Sequence, residues 1–258
     1  MSQFFVDRPV GIDLGTTNSE VAILDPSERD LIVYADKFGR NTVPSAVAWD
    51  PKKKEVLVGR AARSRRGRTP GPIESIKRSM GQTKTVQLGP DELSPEEISA
   101  HILRELRRCM LGHLREGAPE EVDVRLERAV ITVPAYFDAP QMEATRRAGE
   151  LAGLEVMGLL QEPTAAAIYH TWKSQLGDGN FLVYDLGGRT FDLSILSCTS
   201  AEYPVLAIAR VNYSWGHDLA RRHATPGATA DVVPGRVLGA PGPRTRVARP
   251  PSAPSKPL

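Results

Sequence analysis

IDLGTTNSEVAIL, residues 12–24, and YDLGGRTFDLSIL, residues 184–196, are one thirteen-residue design written twice. In each, a short apolar run ends in Asp-Leu-Gly, a small polar turn follows, and an alternating apolar run resumes. Alternation with a period of two marks half-buried strands, so each copy reads as a β-hairpin. Val10, Ile12 and Leu14 face one way before the first turn, and Val21 and Ile23 take up the same alternation after it.

A hairpin tip of Gly, Thr, Asn and Ser presents backbone N–H groups and hydroxyls to a partner rich in acceptor oxygens, for which phosphate is the obvious candidate. The Asp before each tip cannot bind phosphate itself, because like charges repel. It fits if a divalent cation lies between carboxylate and phosphate through bound waters, as Mg²⁺ prefers. A single Gly-Thr turn is better read as an ordinary hairpin turn. Two copies of equal length, each with Asp second and Gly fourth, favour two tips that hold one polyphosphate from both sides.

Outward from the first hairpin, DLIVYAD, TVPSAVAWD and EVLVG read as strands. The basic run Gly59–Arg68 has no interleaved aromatic residue to stack on bases, so it reads as a solvated helix or loop face. A helix opens at SPEE, with Ser94 as N-cap, Pro95 first, and Glu96 and Glu97 facing the positive end of the helix dipole. Ile98, Ile102, Leu106 and Met110 follow on one face. A second helix opens at Asp138, with Gln141 at capping-box spacing, and closes at Gly153 with Leu154 behind it. Between them ERAVITVP is nearly all apolar and predicts a strand buried on both faces. LLQEPTAAAIYHTWKSQ predicts a short strand and then a Pro-started helix, and GDGN turns into the second hairpin. The whole is an α/β mixture.

Composition limits the function. With 33 basic and 31 acidic residues the net charge is +2, which proposes neither a nucleic-acid nor a membrane partner. Cys109 and Cys198 are far apart in sequence and lack metal-ligand spacing, so they read as free thiols. The five histidines show no metal-site spacing either. MSQFFVDRPV has no basic segment ahead of a long apolar one, and a soluble cytoplasmic protein is the expectation. From Thr225 to Leu258 the chain is crowded with Pro, Gly, Ala and Arg and has no periodicity, so it reads as disordered.

These stretches closely resemble the nucleotide-binding domain of the DnaK-type, seventy-kilodalton heat-shock chaperone family, which shares its fold with actin and the sugar kinases. The resemblance rests on VGIDLGTTNS, TVPSAV, ESIKRSMG, AVITVPAYFD, ATRRAGELAGLEV, QEPTAAAIYH and VYDLGGRTFDLSIL, in family order from Val10 to Ala209. It implies an actin-like ATPase fold with ribonuclease H-like lobes: a first lobe over 8–178, the start of a second over 179–222, and a tail over 223–258. It implies ATP or ADP with Mg²⁺ in a cleft between lobes, and allows K⁺. Gly15, Thr16, Thr17 and Asn18 match the first phosphate loop, and Gly187, Gly188, Arg189 and Thr190 the second. Asp13 and Asp185 match the acids that hold hydrated magnesium. Lys77 matches the catalytic lysine, and Glu162 the carboxylate that positions metal-bound or attacking water. Thr16 and Thr190 match hydroxyls near the γ-phosphate. Asp192 is left unassigned. By family the partners are unfolded polypeptides, J-domain proteins and nucleotide exchange factors, but the client-binding domain has no counterpart in this sequence.

Lys77 and Glu162 also have quieter readings, a surface lysine beside Arg78 and a helix-dipole carboxylate. Three departures qualify the resemblance. Arg189 stands where the family has a third glycine; it obstructs the phosphate, serves it as an arginine finger does, or points to solvent, and slow hydrolysis with weak binding is the expectation. Met142 stands where the family has an arginine that acts with the proline matching Pro134 to relay nucleotide state. After Ala209 the match fades to an echo at WGHDLARRH; a shifted reading frame between Ile208 and Thr225 would explain the change, and a short paralogue with a disordered tail is the second reading. Two rival functions therefore stand beside a chaperone ATPase: an inactive fragment acting through the first lobe, and an actin-like filament protein.

Overall fold

The computed structural model describes residues 4–25, 30–116, 122–186, 191–199, 202–211 and 236–240. In chain order the strands β1 (Phe4–Asp7), β2 (Val10–Asp13), β3 (Asn18–Leu24), β4 (Leu31–Val33), β5 (Val43–Pro44), β6 (Ala46–Asp50) and β7 (Glu55–Val58) precede a short helix, α1 (Arg60–Arg63). Then come β8 (Ile73–Glu74), a 3₁₀ turn at Ile76–Ser79, β9 (Val86–Leu88), β10 (Asp91–Leu93) and the long helix α2 (Pro95–Glu116). β11 (Val122–Arg125), β12 (Arg128–Val133), α3 (Ala139–Leu151), β13 (Glu155–Gln161) and α4 (Glu162–Ser174) follow. β14 (Gly179–Leu186), β15 (Phe191–Cys198), β16 (Val205–Val211) and β17 (Arg236–Ala240) complete the order.

The chain divides into two compact units, Met1–Ala165 and Ala166–Leu258. The division falls inside α4, ahead of the 178/179 boundary expected from sequence. The reason is local: Ala167 packs with Val183 and Leu196, and Thr171 hydrogen-bonds Tyr203, so the later turns of α4 belong with the second hairpin.

In the first unit the hairpin β2–β3 lies at the heart of a mixed sheet of order β13-β12-β2-β3-β4, with β5 also on β3. β12 runs parallel to both β2 and β13. The connection β12–α3–β13 is thus a strand–helix–strand crossover. The alternation read from the sequence is the burial observed: Val10, Ile12, Leu14, Val21 and Ile23 all lie in the main core. α2 closes that core with Ile98, Ile102, Leu106 and Met110, each 1 % exposed or less. Its start is a full capping box, since Ser94 Oγ accepts from the Glu97 N–H and Glu97 returns a bond to the Ser94 N–H. Asp138 and Gln141 do the same for α3. Gly153 has φ +77°, the left-handed conformation that ends α3, and the Leu154 N–H donates to the Gly149 carbonyl.

β12 differs from its expectation. Ala129, Ile131 and Val133 are buried, while Arg128, Val130 and Thr132 are only half-buried. Only one face of this strand lies in the core.

In the second unit the sheet order is β16-β15-β14-β17, with β14 and β15 forming the second hairpin. Within the stretch expected to lack regular structure, Arg236–Ala240 pairs antiparallel with β14. Cys109 and Cys198 are both free. No helix among the described residues is long and apolar enough to cross a membrane.

Candidate functional site: the first hairpin tip and the Lys77–Glu162 pair

Asp13 ends β2 with an exposed side chain. Beside it on β12, Thr132 donates its hydroxyl to Asp13 Oδ1 at 2.9 Å. Thr132 lies on the half-buried face of β12. Thr132 was not singled out in the sequence, and its one signal was a polar residue inside an apolar strand. Across the ladder Asp13 pairs in register with Glu20. Loss of hydration and then the Asp13 charge push the Glu20 carboxyl pKa upward.

The turn is built on close approach. A Cβ on Gly15 would lie 2.0 Å from the Asn18 carbonyl oxygen, so no other residue fits this tip. Its carbonyls are tied from one side. Ser45, buried between β5 and β6, donates its hydroxyl to the Gly15 carbonyl at 2.7 Å and its N–H to the Thr17 carbonyl at 3.0 Å. Arg63 donates to the Thr17 carbonyl at 2.5 Å and to Asn18 Oδ1 at 3.1 Å.

Arg63 corrects the expectation for the basic run. Arg60 and Arg66 are solvent-facing, but Arg65 is buried with Asp50 3.7 Å away, and Arg63 reaches the hairpin tip. The run follows β7 directly, and its short helix α1 packs Ala62 against Ala46 and Ala48 of β6. That packing turns one side of α1 inward, which a charge count could not reveal.

Lys77 sits in the 3₁₀ turn with only 7 % of its side chain exposed. Its Nζ lies 2.5 Å from Glu162 Oε1 at the first turn of α4 and 5.9 Å from the Phe137 ring centroid. Two residues 85 positions apart are thereby joined, and the surface-lysine reading of Lys77 fails. Met142 lies half-buried against the main core.

In the second unit Asp185 is exposed near the end of β14 and pairs in register with Asp192. Both hairpins thus place an acid opposite the Asp of the repeated motif. Gly187, Gly188, Arg189 and Thr190 lie outside the described residues. Among the described residues no group of three or more His, Cys, Asp or Glu side chains converges as a metal cage.

Comparison with known proteins agrees with this arrangement of motifs. Residues 9–222 match the family model of the Hsp70 protein. The chaperone proteins DnaK of Mycoplasmopsis agalactiae and Mycoplasmopsis pulmonis are each 44 % identical to this chain over 209 residues, 81 % of its length. DnaK of Mycoplasma mobile is 40 % identical over 212 residues. The chain spans about a third of the length of these relatives, the aligned part being 33 % of each. The mixed α/β architecture, with one motif hairpin in each unit, is that of the actin-like ATPase part of such proteins. The chain belongs to the Hsp70 family.

Proposed function

We propose that this chain binds ATP or ADP with Mg²⁺ and hydrolyses ATP, as the nucleotide-binding part of a DnaK-type chaperone. The observation that carries the reading is the Lys77–Glu162 pair, a nearly buried ammonium 2.5 Å from a carboxylate. A buried ion pair is weak support for stability, because desolvating two charges offsets most of their attraction. It makes sense where the charges serve a reaction. Lys77 neutralises charge on the γ-phosphate, and Glu162 accepts a hydrogen bond from the attacking water and orients it. Thr16 and Thr190 donate hydroxyls near the γ-phosphate. Gly15, Thr17 and Asn18, with Gly187, Gly188 and Arg189, supply the two phosphate loops. The catalytic effect is charge neutralisation and positioning, with no covalent intermediate.

The acids suit a hard cation. Asp13 is exposed and steadied by Thr132, Glu20 stands opposite, and all donors are oxygens. Asp13 and Asp185 would hold the hydrated ion, and Mg²⁺ when bound offsets phosphate charge. Polypeptide clients, a J-domain protein and a nucleotide exchange factor are the partners that family membership proposes.

Calorimetric titration of Mg²⁺–ATP into the full chain, paired with phosphate release, tests the reading. Saturable binding, with turnover lost in Lys77→Ala, is expected. Binding without turnover in wild type and in Arg189→Gly would favour the interaction-only fragment. ATP-dependent filaments in a sedimentation assay would favour the actin-like alternative. A folded chain that binds no nucleotide would overturn the proposal.

A further inference from the structure

The first hairpin tip has a backing whose geometry controls where its N–H groups point. A trans peptide is planar, so the C=O of one residue and the N–H of the next point in opposite directions. Ser45 Oγ holds the Gly15 carbonyl, and Ser45 N–H together with Arg63 Nη2 holds the Thr17 carbonyl. Both carbonyls are therefore directed toward the protein. The N–H groups of Thr16 and Asn18 are aimed the other way.

The backing is itself anchored. The Ser45 hydroxyl gives its one hydrogen to Gly15, so in the 2.9 Å contact between Ser45 and Ser19 the Ser19 hydroxyl is the donor. Glu74 lies 3.5 Å from Arg63 Nε and also takes a two-pronged bond from Arg66, at 2.8 and 2.7 Å. The Arg63 fork thus spans Glu74 at one end and the tip at the other, with a quarter of its side chain exposed.

We propose that Arg63, steadied by Glu74, is a positioning residue for the first phosphate loop, fixing the Thr17–Asn18 peptide so that the Asn18 N–H serves a phosphate oxygen. The proposal rests on the nucleotide reading above. Arg63 does not touch the phosphate in this scheme. It keeps a carbonyl from turning toward an anion, where carbonyl and phosphate oxygens would repel. It also places a fixed positive charge behind the loop. A guanidinium fork suits the task because one rigid group donates to a backbone carbonyl and a side-chain amide oxygen at once while its charge faces the Glu74 carboxylate.

The test is a titration of ¹⁵N-labelled full chain with Mg²⁺–ATP, followed by calorimetry and by the backbone amide resonances of Thr16 and Asn18. In the wild type both resonances are expected to move on saturation. Arg63→Ala is expected to weaken binding about tenfold, in keeping with loss of a charge-assisted hydrogen bond. It should blunt the Asn18 response, because the Thr17 carbonyl then keeps only the Ser45 N–H, while Thr16, whose peptide Arg63 does not touch, responds as in wild type. Arg63→Lys, which keeps the charge but not the two-nitrogen fork, should recover only part of the affinity. If Arg63→Ala does not fold, Glu74→Gln, which loosens the anchor, should weaken binding several-fold and blunt the Asn18 response. Arg63→Ala or Glu74→Gln that melts lower but binds like wild type, with Asn18 responding normally, would reduce Arg63 to a structural brace and overturn the proposal. Failure of the wild type to bind is a separate outcome, which removes the nucleotide reading and this inference together.

Discussion

Lys77 and Glu162 make different predictions although they form one contact. Lys77→Met removes an ammonium from a nearly dry site and leaves behind a carboxylate whose side chain is 30 % exposed. Its stability cost should be under about 1 kcal/mol, because the carboxylate left behind is still reached by water and a pair with one solvated partner contributes little. Glu162→Gln leaves the ammonium desolvated without its counter-charge and should cost about 3 kcal/mol or more. Urea unfolding of the two variants measures this, and equal costs would mean that the pair is not desolvated. Both variants should lose turnover. A second residue-scale prediction concerns Tyr34, whose phenol is pushed up to about 12 by burial, then by its hydrogen bond to Cys109 and by nearby negative charge. The folded state therefore holds this proton more tightly than the unfolded chain does. The associated stability is intact below the ordinary value of 10 and is lost as pH rises toward 12. Melting temperature should fall more steeply with pH in wild type than in Tyr34→Phe over that window.

At the scale of elements, the ends of α2 and α3 were written in short-range chemistry. Ser94 with Glu97 and Asp138 with Gln141 are local reciprocal bonds, so spacing alone finds them. Ser94→Ala and Asp138→Ala should each cost about 1 kcal/mol by chemical denaturation. Leu106→Ala, at a fully buried site on α2, should cost about 2–5 kcal/mol. If the caps proved the costlier losses, the tertiary packing of these helices would be weaker than their burial indicates. Strand β12 was legible as an element but not in its two faces. Its apolar run is common to a strand buried on both sides and to one that sets a threonine beside an acid at the hairpin tip. Only the parallel pairing with β2, which brings Thr132 beside Asp13, separates the two. α1 was less legible still, because four residues carry too little periodicity to show that Ala62 is buried.

For the whole molecule, a ligand that binds only the folded chain raises its stability by mass action. Mg²⁺–ATP at a hundred times its dissociation constant should add about 2.7 kcal/mol. For a body of this size that is a rise in melting temperature of about 5–10 °C. Chelating the metal with EDTA should abolish the rise, and a rise that survives EDTA would show binding that does not need the cation. The repeated motif, the family and the principal helices were all determined by the sequence alone, and the roles proposed for Asp13, Lys77 and Glu162 start from the same motifs. Each rests on residue types at short spacing, or on motifs long enough to be specific. The tertiary structure decided which distant groups meet: Lys77 with Glu162, Thr132 with Asp13, and Arg63 with the Thr17 carbonyl. A long flexible side chain is compatible with solvent, an ion pair or a backbone carbonyl. The physical reason is that its sequence neighbours do not fix where it ends; the packing of the element that carries it does.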